Sequence, residues 1–261
     1  MWKKINNLLG KNTHESAPKE ISANNFNSFF ANIGRTVIDS TNISNAPPAM
    51  PWKNPPCVYK FKFECVQICD VYKMLSKLST NSSIDCIGFD SKLLFLAREV
   101  IAPILTVIIN SSLANGTVPH DWKFARVTPV YKGKGSKNDV NNYRPISVIG
   151  HVAKLTERVV QHQLLSYLLS HDLISIDQSA FRPKHSTQTA LHRVVDAWLD
   201  NMQDKMLTGV CFLDIKKCFD TIDHELLLRK LMLYGIENVE WKWFNEYLKD
   251  RSQFVRHNGV S

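Results

Sequence analysis

The chain has 261 residues, 44% of them hydrophobic and 21% charged, which suits a globular protein with one large or two modest cores. Its 32 Lys and Arg against 24 Asp and Glu give a net charge of +8, favouring an anionic partner such as nucleic acid. There is no Cys-x-x-Cys pair, no apolar run long enough for a bilayer and no secretory core at the start. The expectation is therefore a soluble intracellular protein, without a membrane partner, whose six thiols are free and mostly buried.

Residues 1–57 are rich in Asn, Ser and Pro and read as a flexible tether, with one short amphipathic piece at NNFNSFFANIG. Residues 58–121 read as a helical region. In ECVQICDVYKMLSKL, Val66, Cys69, Met74 and Leu78 suggest one helix face. SKLLFLAREVIAPILTVIINSSLANG suggests one or two buried helices, interrupted at Pro103 and stopped by Gly116. From residue 122 to 206, WKFARVTPVYKGKG alternates as a strand and runs into a Gly/Lys turn, and VIGHVAKLTERVVQHQLLSYLLSHD has helical length and pattern. STQTALHRVVDAWLDNMQDK is the clearest helix, capped by Ser186 or Thr187, with Leu191, Val194, Val195, Trp198, Leu199 and Met202 on one face.

In 207–261, GVCFL reads as a short buried strand ending at Asp214, and DHELLLRKLMLYG as a helix capped by Asp223 and ended by Gly235. WKWFNEYLKD is a further helix, and QFVRHNGVS opens a hairpin with Asn258-Gly259 as its turn. The class is mixed helix and strand, α+β.

A carboxylate just past a buried strand either caps a turn or presents a hard oxygen ligand for Mg²⁺ at the rim of a sheet. Spacing leaves both readings of Asp214 open. Other chemistries lack their residues: DHELLLRK has no second histidine for a zinc-peptidase helix, and YKGKGSK lacks the glycine spacing of a Walker loop. Four cysteines crowd into 57–86, but irregularly and without a nearby histidine pair, which disfavours zinc.

FLDIKKCFDTIDHELLLRKLMLYGI resembles motif A of reverse transcriptases from non-LTR retrotransposons, of the jockey-like and chicken-repeat-like kinds. WKFARVTPVYKGKGSKNDVNNYRPISVIGHVAKLTERVV is similar to the family's first fingers block, and DQSAFRPKHSTQTAL to its second. FNSFFANIG, SSLANGTVPHDWK and VRHNGVS resemble the flanking sequence, so the likeness runs over about residues 22–261.

The resemblance implies a right-hand polymerase architecture, with fingers in 122–206 and a partial palm in 207–261. It implies RNA-templated DNA synthesis on an RNA template and DNA primer, using dNTPs and Mg²⁺. Asp214 matches the metal-binding aspartate of a two-metal site. Phe219 matches the aromatic gate that excludes a ribose 2′-hydroxyl. The Ile215–Cys218 turn would approach the triphosphate with its backbone N–H groups. Arg144 of NYRPI, with Lys132 and Lys134 nearby, would contact the incoming nucleotide, and Arg182 and Lys184 would lie along the template.

Cys218 stands where the family usually has alanine, and Ala180 where it usually has glycine. A larger departure is that no G-x-P-Q-G block and no paired aspartate occurs in residues 1–261. Two dications about 4 Å apart need more carboxylate than Asp214 supplies. The expectation is half of a polymerase site, inactive by itself, with the 209–213 strand left as an apolar edge prone to self-association. A non-catalytic RNA or RNA–DNA binding module and an inert, poorly folded product are the alternatives.

Overall fold

The structure is a computed structural model and describes residues 21–40, 57–78 and 81–257. It is an α+β fold in which a small sheet and two apolar cores are held among helices. The Asn258-Gly259 turn signal lies outside the described residues.

The sheet has the order β2-β1-β3. Strands β1 (Phe124–Tyr131) and β2 (Tyr143–Ile149) form an antiparallel hairpin with Pro129 opposite Pro145. Strand β3 (Ser252–Val255) runs parallel to β1 but pairs only with Phe124 to Val127. Pro129 therefore lies beyond the reach of β3, where its missing N–H breaks no ladder.

Helix α1 (Ala23–Ser40) packs on this sheet, and it lies within the segment the sequence presents as a tether. Ser22 accepts the Asn25 N–H at its start. Phe26, Phe30 and Ile33 recur at helical spacing and are buried, Phe26 meeting Tyr143 edge-on at 4.9 Å. The amphipathic piece expected at NNFNSFFANIG is thus part of a longer helix, and the sheet buries its apolar stripe.

The larger core is helical. Helices α2 (Ile68–Ser76), α3 (Ser91–Leu96) and α4 (Arg98–Asn115) pack with α5 (His151–Ser170), α7 (His224–Leu233) and α8 (Asn238–Leu248) around Leu75, Ile109, Leu155, Ile236 and Trp243. In α2 the buried face is Val71 and Leu75 rather than Cys69 and Met74. The α3–α4 break falls at Ala97, and Pro103 sits inside α4 rather than interrupting it, with no N–H to donate to the preceding turn. Gly116 ends α4 at φ 60°, as a left-handed cap should.

A carboxylate 66 residues away in sequence fixes the start of α5. Asp85 is 2% exposed and accepts the backbone N–H groups of Ile87 (3.0 Å), Phe89 (2.9 Å) and His151 (2.7 Å). Arg126 on β1 donates to the carbonyls of Ile84 and Asp85, joining this loop to the sheet.

Two sequence expectations need correction, the strand at 209–213 and the buried thiols, while the helix expected over 186–205 forms. Helix α6 (Thr187–Gln203) forms with the expected Ser186 cap, reciprocated by Thr189, yet buries no residue, so Leu191, Leu199 and Met202 face outward. Residues 209–213 are not a strand. Phe212 and Leu213 stand 84% and 87% exposed, because no neighbouring strand supplies the partners that a ladder requires. The thiols are free, but Cys65, Cys69, Cys211 and Cys218 are exposed rather than buried. No helix among the described residues is long and apolar enough to cross a membrane.

Candidate active site

Asp214 lies in the irregular stretch that precedes a 3-10 turn at Cys218–Thr221, and its carboxylate faces solvent. The turn begins at Lys217, whose φ of 56° is left-handed, and closes with the Asp220 N–H donating to the Lys217 carbonyl at 2.9 Å. Thr221 supports it by donating its hydroxyl to the carbonyls of Lys217 and Cys218. Ile215 and Phe219 are exposed on either side of that strained residue.

The β1–β2 hairpin brings cations to the same region. The Lys132 N–H donates to the Asn142 carbonyl, continuing the ladder past Tyr131, and its ammonium donates to the Asn141 carbonyl. Burial holds Lys217 below the ordinary lysine range, and the neighbouring charges of Lys132 and Lys216 push the same way, against Asp220. Lys132 and Lys217 thus share one field, although 85 residues separate them. Arg144 pairs across from Val130 and is exposed. By strand alternation Arg144 and Lys132 fall on the face opposite Tyr131 and Tyr143. Lys134 stands exposed between Gly133 and Gly135, both at positive φ.

The second block comes up against the turn through an aromatic pair. Phe181, itself at φ 60°, meets Phe219 edge-on with ring centroids 6.0 Å apart. The two basic residues that follow Phe181 behave differently. One Arg182 nitrogen, Nη1, donates to the carbonyls of Ser175 (3.1 Å), Ile176 (3.3 Å) and Gln178 (3.3 Å), so this guanidinium ties its own loop. Arg193 on α6 also donates to the Ile176 carbonyl. Lys184, at φ 61°, is exposed and open to solvent.

The sequence assigned no side-chain role to three residues that shape this site: Lys217, which entered only as part of the Ile215–Cys218 turn, Phe181 and Gly34. Of these only Gly34 carries a local signal, a glycine inside an amphipathic helix. Its place is explained by contact. A Cβ on Gly34 would sit 1.9 Å from the Asp220 carbonyl oxygen, so α1 lies against the turn that follows Asp214.

The carboxylate inventory is thin. Among the described residues no three His, Cys, Asp or Glu side chains converge, so Asp214 belongs to no ligand cluster of that size. The residues present do not by themselves fit a pair of Mg²⁺ ions.

Residues 134–261, about half of the chain, match the family described as "Reverse transcriptase (RNA-dependent DNA polymerase)". The chain is 32% identical over 161 residues to the RNA-directed DNA polymerase from mobile element jockey of Drosophila melanogaster, covering 62% of this chain and 18% of that protein. It is 28% identical over 198 residues to the probable RNA-directed DNA polymerase from transposon X-element of the same fly, covering 74% of this chain and 21% of that protein. It therefore spans about a fifth of the length of these curated relatives. Residues 134–261 are part of a reverse transcriptase domain, and the chain belongs with the RNA-directed DNA polymerases of non-LTR retrotransposons.

Proposed function

We propose that this chain is the fingers and first palm segment of an enzyme for RNA-templated DNA synthesis, and that it engages nucleotide and nucleic acid without completing the chemistry. In this reading 122–206 are fingers and 207–261 the partial palm. The observation that carries it is the contact between two distant blocks, in which the Phe181 ring meets Phe219 of the turn after Asp214.

Each side chain then has a task set by its chemistry. Lys132, Lys134 and Arg144 neutralise the triphosphate of an incoming dNTP, the guanidinium with its planar fork. The backbone from Ile215 to Cys218 offers N–H groups to the same phosphates, aided by the left-handed Lys217. Phe219 lies under the sugar and clashes with a 2′-hydroxyl. Asp214 would supply one carboxylate toward the Mg²⁺ of the parent activity, which needs further ligands to be held. Lys184 lies along the template phosphates, whereas Arg182 holds the loop that presents it.

A non-catalytic RNA or RNA–DNA binding module is favoured by one specific observation, that among the described residues Asp214 belongs to no cluster of three potential metal ligands. The apolar side chains of 207–215 also support self-association, and the six free thiols suit a reducing intracellular setting. The test is anisotropy of a labelled RNA–DNA hybrid with the 261-residue chain, with and without dNTP. Weakened binding in Lys132→Glu and Arg144→Glu, but not in Asp214→Ala, is expected. Equal binding by all three variants would contradict the reading.

A further inference from the structure

Helix α1 touches both halves of the site. At one end Phe26 packs against Tyr143, the neighbour of Arg144 on β2, and against His257 at 5.2 Å. Asn27 accepts a hydrogen bond from Gln253 on β3. Two turns further on, Gly34 faces the Asp220 carbonyl so closely that no side chain fits between them. That distance is about 12 Å of helix rise, and a helix transmits such a spacing stiffly.

We infer that α1 is the positioning strut of the site, setting the Lys217–Thr221 turn, and with it Phe219, at a fixed distance from the β1–β2 hairpin. Three observations converge on it. The turn starts from a left-handed lysine, a conformation that persists only where its surroundings enforce it. The turn's own ties are local, the Asp220 N–H and the Thr221 hydroxyl, so α1 is a packing partner from outside it. And α1 carries a glycine at the contact, although glycine in a helix interior is unfavourable compared with alanine. The helix lies upstream of residues 134–261, the segment that matches the reverse transcriptase family. Its functional meaning rests on the nucleotide reading of the site. The mechanical coupling does not.

The experiment uses the opposite signs of two effects. If Gly34 mattered only to its own helix, Gly34→Ala would raise the thermal midpoint by improving helix propensity. If Gly34 admits the turn, the same change pushes Asp220 away. Hydrogen–deuterium exchange of the 261-residue chain should then rise by about tenfold or more in peptides covering 217–221, with the α4 and α5 peptides unchanged. A 4-fluorophenylalanine at position 219 gives an independent signature, since its ¹⁹F shift senses the Phe181 ring; in Gly34→Ala it should move toward the shift of an unfolded peptide. Phe30→Leu, which loosens α1 without a clash, should raise exchange at the same turn and decides the matter if Gly34→Ala does not fold. Unchanged exchange at 217–221, or a uniform rise across all peptides, would overturn the strut. Adding dTTP to the labelled wild type separates the two claims. No ¹⁹F response to dTTP would remove the nucleotide reading while exchange still decides the coupling.

Discussion

Phe181 and Phe219 meet edge-on, 6.0 Å between centroids, although the rings are 76% and 73% exposed. Two large aromatics left this open contribute little to stability, because most of their surface remains in water. A double-mutant cycle on Phe181→Ala and Phe219→Ala should give a coupling of about 1 kcal/mol or less. In the proposed site the value of the pair is placement: Phe181 limits where Phe219 can swing. Phe181→Ala should therefore relax discrimination against ribonucleotides in a binding assay comparing dTTP with the corresponding ribonucleotide. Unchanged discrimination would leave the contact without a role.

Asp85 and Ser186 set apart two kinds of helix start. Asp85 is buried and takes three backbone N–H groups, so Asp85→Ala leaves three donors unpaired and should cost about 3 kcal/mol in urea unfolding. Ser186 caps the exposed α6, and Ser186→Ala should cost about 1 kcal/mol. Similar costs for both would show that the Asp85 loop is not the anchor of α5.

Arg182 and Lys184 separate in the same way. Lys184→Ala should lower affinity for an RNA–DNA hybrid and reduce the salt slope by about 1, with the melting midpoint unchanged. Arg182→Ala removes the donor to three loop carbonyls, so its effect should fall on stability and on exchange in 175–185. A salt-slope loss in Arg182→Ala without destabilisation would reverse these assignments.

The junction of α1 and β3 should be sensitive to acid. Burial beside Phe26 holds His257 below its ordinary value, so the folded state favours the neutral ring. The unfolded chain takes up a proton near pH 6.5 and the folded chain only at lower pH, so stability present above that value is lost as pH falls between the two. Exchange in α1 and β3 should rise on going from pH 7.5 to 5.5, after correction for intrinsic rates, and His257→Phe should abolish the change. An effect of the same size in His257→Phe would assign it elsewhere.

Much of the helical frame was legible because its signals are local. Ser186, Asp223, Gly116 and Gly235 mark helix ends by their own chemistry, and each stands where the helices start or stop. What was not legible depends on partners far along the chain. The run at 209–213 has the apolar character of a strand but finds no neighbour to pair with. Helix α1 was legible only as the short amphipathic piece NNFNSFFANIG within a tether, because its stripe is completed by Tyr143 and Val255. Asp85 reads as a loop residue, since nothing nearby in sequence announces that it will hold His151. At the site, Asp214 and Phe219 could be singled out by their motif, whereas Lys217 and Gly34 acquire meaning only from Lys132 and Asp220.

The central claim is that this chain gathers nucleotide and template groups around a carboxylate that is insufficient alone. The most direct measurement is primer extension by the purified 261-residue chain on an RNA template with dNTPs and Mg²⁺ or Mn²⁺, run beside hybrid binding on the same preparation. The expected result is retained binding with no extended primer. Extension that disappears in Asp214→Ala would contradict the claim, because it would show a working site built on this carboxylate.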